Sequence, residues 1–412
     1  MSCSTQLVPQ YFTRAALRIC RYCLYGLVLC VCGLAFTRTW VAEAFEIPTG
    51  SMAPSLRGRH RVCACPNCGH DVVVGRHDAE NNDGGRPRHY HKAFCQNCDF
   101  MPLPVAESAE IAGDRVLVNK AAYLVRSPSR WEIVVFRLFG TFYIKRLLGL
   151  PGEEISIREG DFYVNGRLCR KSIEEAKKLR VLLSQRELGT LSTLGLDADK
   201  CEPIRDEYAY NAGVHANSEC VHDFSIETGI EVAPGRGTLS LRLCDGHDWV
   251  EVRLPVGETK AVEAFAWPMC EPQAMRKLGD GRPVGLSAGR CYRVELAFVD
   301  RRLSLALDGV PLFQADLPEA TKRAGVVRPF HAEIVGVDAT VRGFRLYRDV
   351  HYGQQGTNAV RGKSVRLGVD QYFLLGDNSP HSQDSRFWPD DGAVDRSSLL
   401  GPVLWVRRTH GE

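Results

Sequence analysis

Two Cys-x-x-Cys pairs, Cys65-Pro66-Asn67-Cys68 and Cys95-Gln96-Asn97-Cys98, are the side chains whose spacing alone suggests chemistry. Two thiolates three positions apart can aim at one ion when a tight turn joins them, and Pro66 and Gly69 favour such a turn. With 26 residues between the pairs, the four sulfurs suit a closed tetrahedral site for structural zinc, with no open position for catalysis. Two disulfides are the alternative, and an oxidising compartment would favour them. Cys63 is left over in either case, and His70, His77, His89 and His91 are substitute ligands.

A second kind of chemistry needs a serine and a base. Ser51 sits in Glu46-Ile47-Pro48-Thr49-Gly50-Ser51-Met52-Ala53-Pro54-Ser55-Leu56, which by itself reads as an ordered loop. A serine hydroxyl is a weak nucleophile and must lose its proton to a neighbour, and an ammonium has no lone pair to accept it. Lys145 lies among Phe142, Tyr143, Ile144, Leu147 and Leu148, an apolar run able to bury it. Burial can lower a lysine pKa from its usual value of about 10.4 by several units, which would make the amine a base.

Three further blocks follow Ser51 in order: Gly113-Asp114-Arg115-Val116-Leu117-Val118-Asn119-Lys120, Tyr143 through Glu153, and Gly376-Asp377-Asn378-Ser379-Pro380-His381-Ser382-Gln383-Asp384-Ser385-Arg386. Together with the Ser51 block and an N-terminal apolar segment, they resemble the boxes of the type I signal peptidases over about half of the chain. The resemblance implies a signal-peptidase-type β fold with Ser51 as nucleophile and Lys145 as general base. It places Thr49 at the oxyanion hole, Ser382 as a hydrogen-bonding partner that orients the lysine, and Arg146, Asp377, Asp384 and Arg386 as ion-paired support. Shallow pockets for small residues, lined by Ile47, Met52 and Ile144, would read the substrate. Catalysis would need no cofactor. The last block departs from the commonest bacterial form at Ser379, Pro380 and His381, so its loop is expected to turn differently at Pro380.

The elements that would position these residues are short. Arg115–Asn119, Ile133–Phe136, Phe142–Leu148 and Glu154–Leu168 read as strands, with Asn165-Gly166 as a turn, and the same character resumes at Ser364–Leu367, Tyr372–Leu375 and Val403–Val406. A mainly β catalytic domain is therefore expected to be split. Between its halves, Ser172–Leu188 suits an amphipathic helix. Alternating runs at Thr238–Arg242, Trp249–Leu254, Tyr292–Val299 and Leu303–Leu307, punctuated by Asp245-Gly246 and Asp308-Gly309, suggest an inserted antiparallel sandwich. Its phrase at 301–318 resembles a laminin-G or concanavalin-like hairpin. The expected organisation is 1–40 cytoplasmic N-terminus and membrane anchor, 41–168 the first catalytic part with a zinc-ribbon-like insertion at 61–100, 169–349 helix plus sandwich, and 350–412 the second catalytic part.

The chain has 412 residues, 44% hydrophobic and 25% charged, with a net charge of +3. That composition excludes wholesale disorder, and the near balance of charge argues against nucleic acid as partner. Tyr22 to Phe36 is uncharged and apolar, with Arg14, Arg18 and Arg21 before it. The segment suits a single-pass anchor in the plasma (inner) membrane, with a cleaved signal peptide or a buried helix as the alternatives, and the positive-inside bias puts the N-terminus in the cytoplasm and the rest outside. Secretory preproteins and the lipid bilayer are then the expected partners. The alternatives are another serine–lysine peptidase on the same fold and an inactive envelope scaffold that presents the sandwich.

Overall fold

The computed structural model describes residues 9–36, 41–76, 93–187, 189–191, 193–195, 202–212, 219–320 and 322–409. Strands dominate. The N-terminal helix, Pro9–Phe36, contains the apolar segment, and Ile19, Leu24, Leu27 and Leu29 on it are exposed. Among the described residues no helix is long and apolar enough to cross a membrane, so the expected spanning helix is not found there. The physical shortfall is length: the uncharged part, 22–36, would extend only about 22 Å against a hydrocarbon layer of about 30 Å.

A seven-stranded antiparallel sheet collects strands from both ends of the chain, in the order Ala42–Glu46, Arg115–Asn119, Leu399–Arg407, Ile133–Leu138, Thr141–Gly149, Gln371–Leu375 and Val394–Asp395. Beside it lies a four-stranded sheet of Arg167–Leu168, Asp161–Val164, Glu154–Arg158 and Val365–Arg366. Asn165 and Gly166 join two of these strands with φ of 50° and 74°, the left-handed pair that a two-residue hairpin requires.

Residues between these halves form two further sheets whose apolar faces meet in one large core, including Leu239, Leu241, Val250, Val252, Phe298 and Leu305. Alternation along Gly237–Cys244 buries Leu239, Leu241 and Leu243 while Ser240 and Arg242 face outward. Helix covers only Ile173–Lys178 of the expected Ser172–Leu188, started by a reciprocal cap between Ser172 and Glu175. The remainder becomes strand Val181–Arg186 on Ala339–Arg348, where Val181 and Leu183 fill the sheet's inner face. Tertiary pairing overrides the local helical pattern there.

A buried ion pair ties this insertion to the four-stranded sheet: Arg323 lies 2.7 Å from Asp161. Within the insertion, Lys171 lies 2.8 Å from Asp300 and 2.9 Å from Asp349. Asp161, Asp223 and Asp300 stand close enough to share a metal ion, but Lys171 and Arg323 already supply their countercharge. A three-stranded sheet, Asp71–Gly75, His60–Ala64 and Glu110–Ile111, carries the cysteine turns beside the Ser51 loop.

Candidate active site

The loop that carries Ser51 is seated by its apolar residues. Met52 and Leu56 are buried with Ile47, Val116, Val118 and Val135, and Ile144 packs at the edge of that cluster. Backbone bonds from Ala53 N to Gly50 O (3.1 Å) and from Leu56 N to Met52 O (2.9 Å) tighten the turn. Of the three residues expected to line a substrate pocket, Ile47 and Met52 are fully buried and Ile144 is half-buried.

Lys145 occupies the middle of Thr141–Gly149, opposite Val134 of the neighbouring strand. Its Nζ donates to Ser51 Oγ at 2.7 Å, with the lysine 3% and the serine 8% exposed. Burial pushes the Lys145 pKa down to about 8. The carboxylates of Asp384 and Asp377 pull against that shift, and Arg386 adds to it. A large fraction of the amine is therefore neutral near pH 8, with a lone pair available within hydrogen-bond reach of a hydroxyl proton.

Around this pair the charges are matched. Arg146 binds both oxygens of Asp377 at 2.7 and 2.6 Å, donates to Trp131 O at 2.7 Å, and reaches Ser55 Oγ at 3.0 Å. Arg386 binds both oxygens of Asp384 at 2.9 Å, and Asp384 also accepts from Gly376 N at 3.1 Å. Planar forks facing carboxylates in this way satisfy the donors that burial would otherwise strand.

One expected contact is missing. Ser382 is buried, but its hydroxyl has no hydrogen-bond partner among the described residues, Lys145 included. It sits against Gly376, where an added Cβ would fall 2.2 Å from Ser382 Oγ and 2.5 Å from the Ser51 carbonyl. Thr49 is exposed, two positions before Ser51.

Two residues named without a role in the sequence take supporting positions. Ser379, in the turn Ser379–His381, accepts from Arg386 Nη1 at 2.7 Å and from Gly353 N at 2.9 Å. Asn378 donates its backbone N–H to Ser51 O at 3.1 Å and its side-chain amide to Gly50 O at 3.0 Å. The departure at Ser379-Pro380 marked this loop in the sequence, and the contact of Ser379 with Arg386 is seen only in the fold.

The sulfurs of Cys65, Cys68, Cys95 and Cys98 all lie within 4.8 Å of one another, with Cys65 to Cys98 and Cys68 to Cys95 each 3.6 Å apart. A tetrahedral zinc site with arms of about 2.3 Å has edges of about 3.8 Å, so the four residues fit that ion. Both turns use the same backbone pattern. Cys65 N donates to His70 O at 2.9 Å and Cys95 N to Phe100 O at 2.9 Å, with Gly69 and Asp99 left-handed at φ 72° and 58°. Cys63 is buried outside the cluster, its Sγ near Ala64 O, and His77, His89 and His91 lie outside the described residues.

The chain matches the signal peptidase family, peptidase S26, over residues 100–219 and 302–406, more than half of its length, and belongs to that family. That match includes Lys145 and the last block but begins after Ser51. Among similar proteins, Probable signal peptidase I-2 of Synechocystis sp. is 34% identical over 85 residues, covering 19% of this chain and 39% of that protein. Signal peptidase I T of Bacillus subtilis is 33% identical over 79 residues, covering 18% of this chain and 41% of that protein. The chain thus spans about two fifths of the length of these relatives. A carbohydrate binding module, CBM66 from Bacillus subtilis, aligns at 16% identity over 30% of this chain and 73% of its own, with a TM-score of 0.22, too low to carry an argument.

Proposed function

We propose that this chain is a serine endopeptidase that removes N-terminal signal peptides from secretory preproteins. The observation that carries the reading is the buried contact of 2.7 Å between Lys145 Nζ and Ser51 Oγ, on a lysine whose pKa burial brings to about 8. Neutral Lys145 takes the Ser51 proton as Oγ attacks the scissile carbonyl. The resulting ammonium returns that proton to the leaving amine, and Ser51 is left acylated. A water, deprotonated by the same amine, then releases the signal peptide and restores the serine.

The Ser51 amide and the Thr49 hydroxyl stabilise the oxyanion, and closure of substrate over the exposed Thr49 side chain completes that donor pair. Ser382 supports the lysine through its unpartnered hydroxyl once substrate is bound. Arg146, Asp377, Asp384 and Arg386 hold the scaffold. An extended substrate adds to a sheet edge, with Ile144 over the Ile47 and Met52 floor selecting small side chains.

The catalytic domain is formed by 41–168 and 350–412, and 169–349 is an insertion. The helix Pro9–Phe36 holds the chain at the plasma membrane, with its exposed apolar side chains, Leu24, Leu27 and Leu29 among them, in lipid. Zinc on Cys65, Cys68, Cys95 and Cys98 pins the two turns together and takes no part in the chemistry. Elemental analysis should find one zinc per chain, lost in Cys68→Ser; a parent protein without bound metal would refute that assignment.

The peptidase reading is tested by incubating detergent-solubilised protein with a preprotein bearing an Ala-x-Ala leader, beside Ser51→Ala and Lys145→Ala. Leader removal by the parent alone is the expected result. Absence of cleavage by folded parent protein would leave the scaffold reading.

A further inference from the structure

Ser51 is held from two sides. Its apolar neighbours anchor one side in the catalytic sheet, and the other side is built by a short turn from the insertion, Ala209–Asn211. Tyr210 in this turn is 1% exposed and lies between the nucleophile loop and the cysteine-bearing sheet. A Cβ on Gly50 would fall 2.4 Å from its Cε1, and a Cβ on Gly75 would fall 2.2 Å from the same atom. The ring therefore rests directly on both backbones, and only glycine permits that approach. Its hydroxyl accepts from Gly58 N at 3.1 Å.

Asn211 completes the link. Its side-chain amide exchanges two hydrogen bonds with that of Asn378, at 2.8 and 2.7 Å. Asn378 in turn grips Gly50 O and Ser51 O. At the other end, Ala209 and Ala212 are buried in the same cluster as Val72, Val74, Cys65 and Cys95. One chain of packed groups thus runs from the cysteine turns through Tyr210 and Asn211 to the backbone of the nucleophile.

Resting on the peptidase reading above, we propose that Tyr210 and Asn211 are positioning residues for Ser51. The insertion completes the active site from behind, and the packing of the cysteine-bearing sheet sets where the nucleophile stands. Reaction between Oγ and a carbonyl tolerates little misplacement, since about 1 Å can cost about a hundredfold in rate. Truncating Asn211 leaves the buried Asn378 amide short of partners and free to release Gly50. Neither residue reads the substrate's side chains, so the loss should fall on kcat rather than on KM.

The test is steady-state cleavage of an Ala-x-Ala leader peptide by the full chain, with thermal unfolding measured in parallel. Asn211→Ala and Gly75→Ala are compared with the parent and with Leu241→Ala, a sandwich-core variant that loses stability without touching this link. Both link variants should lose about tenfold in kcat with KM within about twofold, while Leu241→Ala keeps the parental kcat below its melting temperature. Should Gly75→Ala be too crowded to fold, Asn211→Ala, which adds no atoms, carries the test. Link variants that cleave at the parental kcat, or that lose in KM alone, overturn the positioning role while the peptidase reading stands. A folded parent that does not cleave overturns the peptidase reading and this inference with it.

Discussion

The sandwich core and the core beneath Ser51 are both dry, but they are built from opposite materials. Leu239, Leu241, Val252, Phe298 and their neighbours form one extended apolar cluster in the insertion. Under the nucleophile, Lys145, Arg146, Asp377, Asp384 and Arg386 are buried to a similar degree. In the first region stability is spread over many interchangeable contacts, each roughly proportional to the area it removes from water. In the second, the charges of Arg146 and Arg386 are tolerable only because Asp377 and Asp384 face them, so single substitutions act sharply. The difference separates a region whose stability rests on shared apolar packing from one in which paired charges surround a buried lysine.

The largest effect expected from this contrast is at Asp377. Asp377→Ala strips Arg146 of both carboxylate bonds while the guanidinium stays buried, and should destabilise the protein by about 3–5 kcal/mol and abolish cleavage. Denaturant unfolding checks the first part and leader cleavage the second; a cost below about 1 kcal/mol would mean that solvent reaches Arg146 readily.

Leu241→Ala should rank next. It opens a cavity in the sandwich, at a cost of about 2–4 kcal/mol in thermal or chemical unfolding, with kcat unchanged below the melting temperature. Cleavage that falls in step with stability would erase the distinction between the two cores.

Lys145→Met gives the smallest effect and the opposite sign. The folded-state pKa of Lys145, about 8, lies below its ordinary 10.5, so folding disfavours the charged form. The cost grows as pH falls from 10.5 to 8 and is complete below 8. The methionine variant should therefore melt several degrees higher than the parent at pH 7, with the gain fading above pH 10, and should not cleave. In the parent, kcat/KM should rise with pH through about 8 as the amine loses its proton. A flat profile across that range would place the working base elsewhere.

Much of this architecture was legible from local pattern. Strand Arg115–Asn119 spans the residues that its alternation suggested, and the hairpins at Asn165-Gly166 and Asp308-Gly309 carry positive φ at both turn residues. These features depend on neighbours in sequence, which is why a linear reading reaches them. Ser172–Leu188 shows the limit: its first turn has the cap of a helix, but the rest is claimed by a strand partner more than 150 residues away.

At the candidate site, the resemblance of four ordered blocks to the signal peptidase boxes pointed to Ser51 and Lys145, and the need of a serine nucleophile for a base agreed with it. The cysteine spacing likewise pointed to a shared ion. Only the tertiary structure decided that Lys145 lies 2.7 Å from Ser51, that Ser382 faces Gly376 without a hydrogen-bond partner, and that Ser379 rather than a longer side chain braces Arg386. Tyr210 and Asn211 left no signal in the sequence at all. Both are defined by contacts with Gly50, Gly75 and Asn378, residues distant along the chain, and such contacts exist only once burial has brought several sheets together.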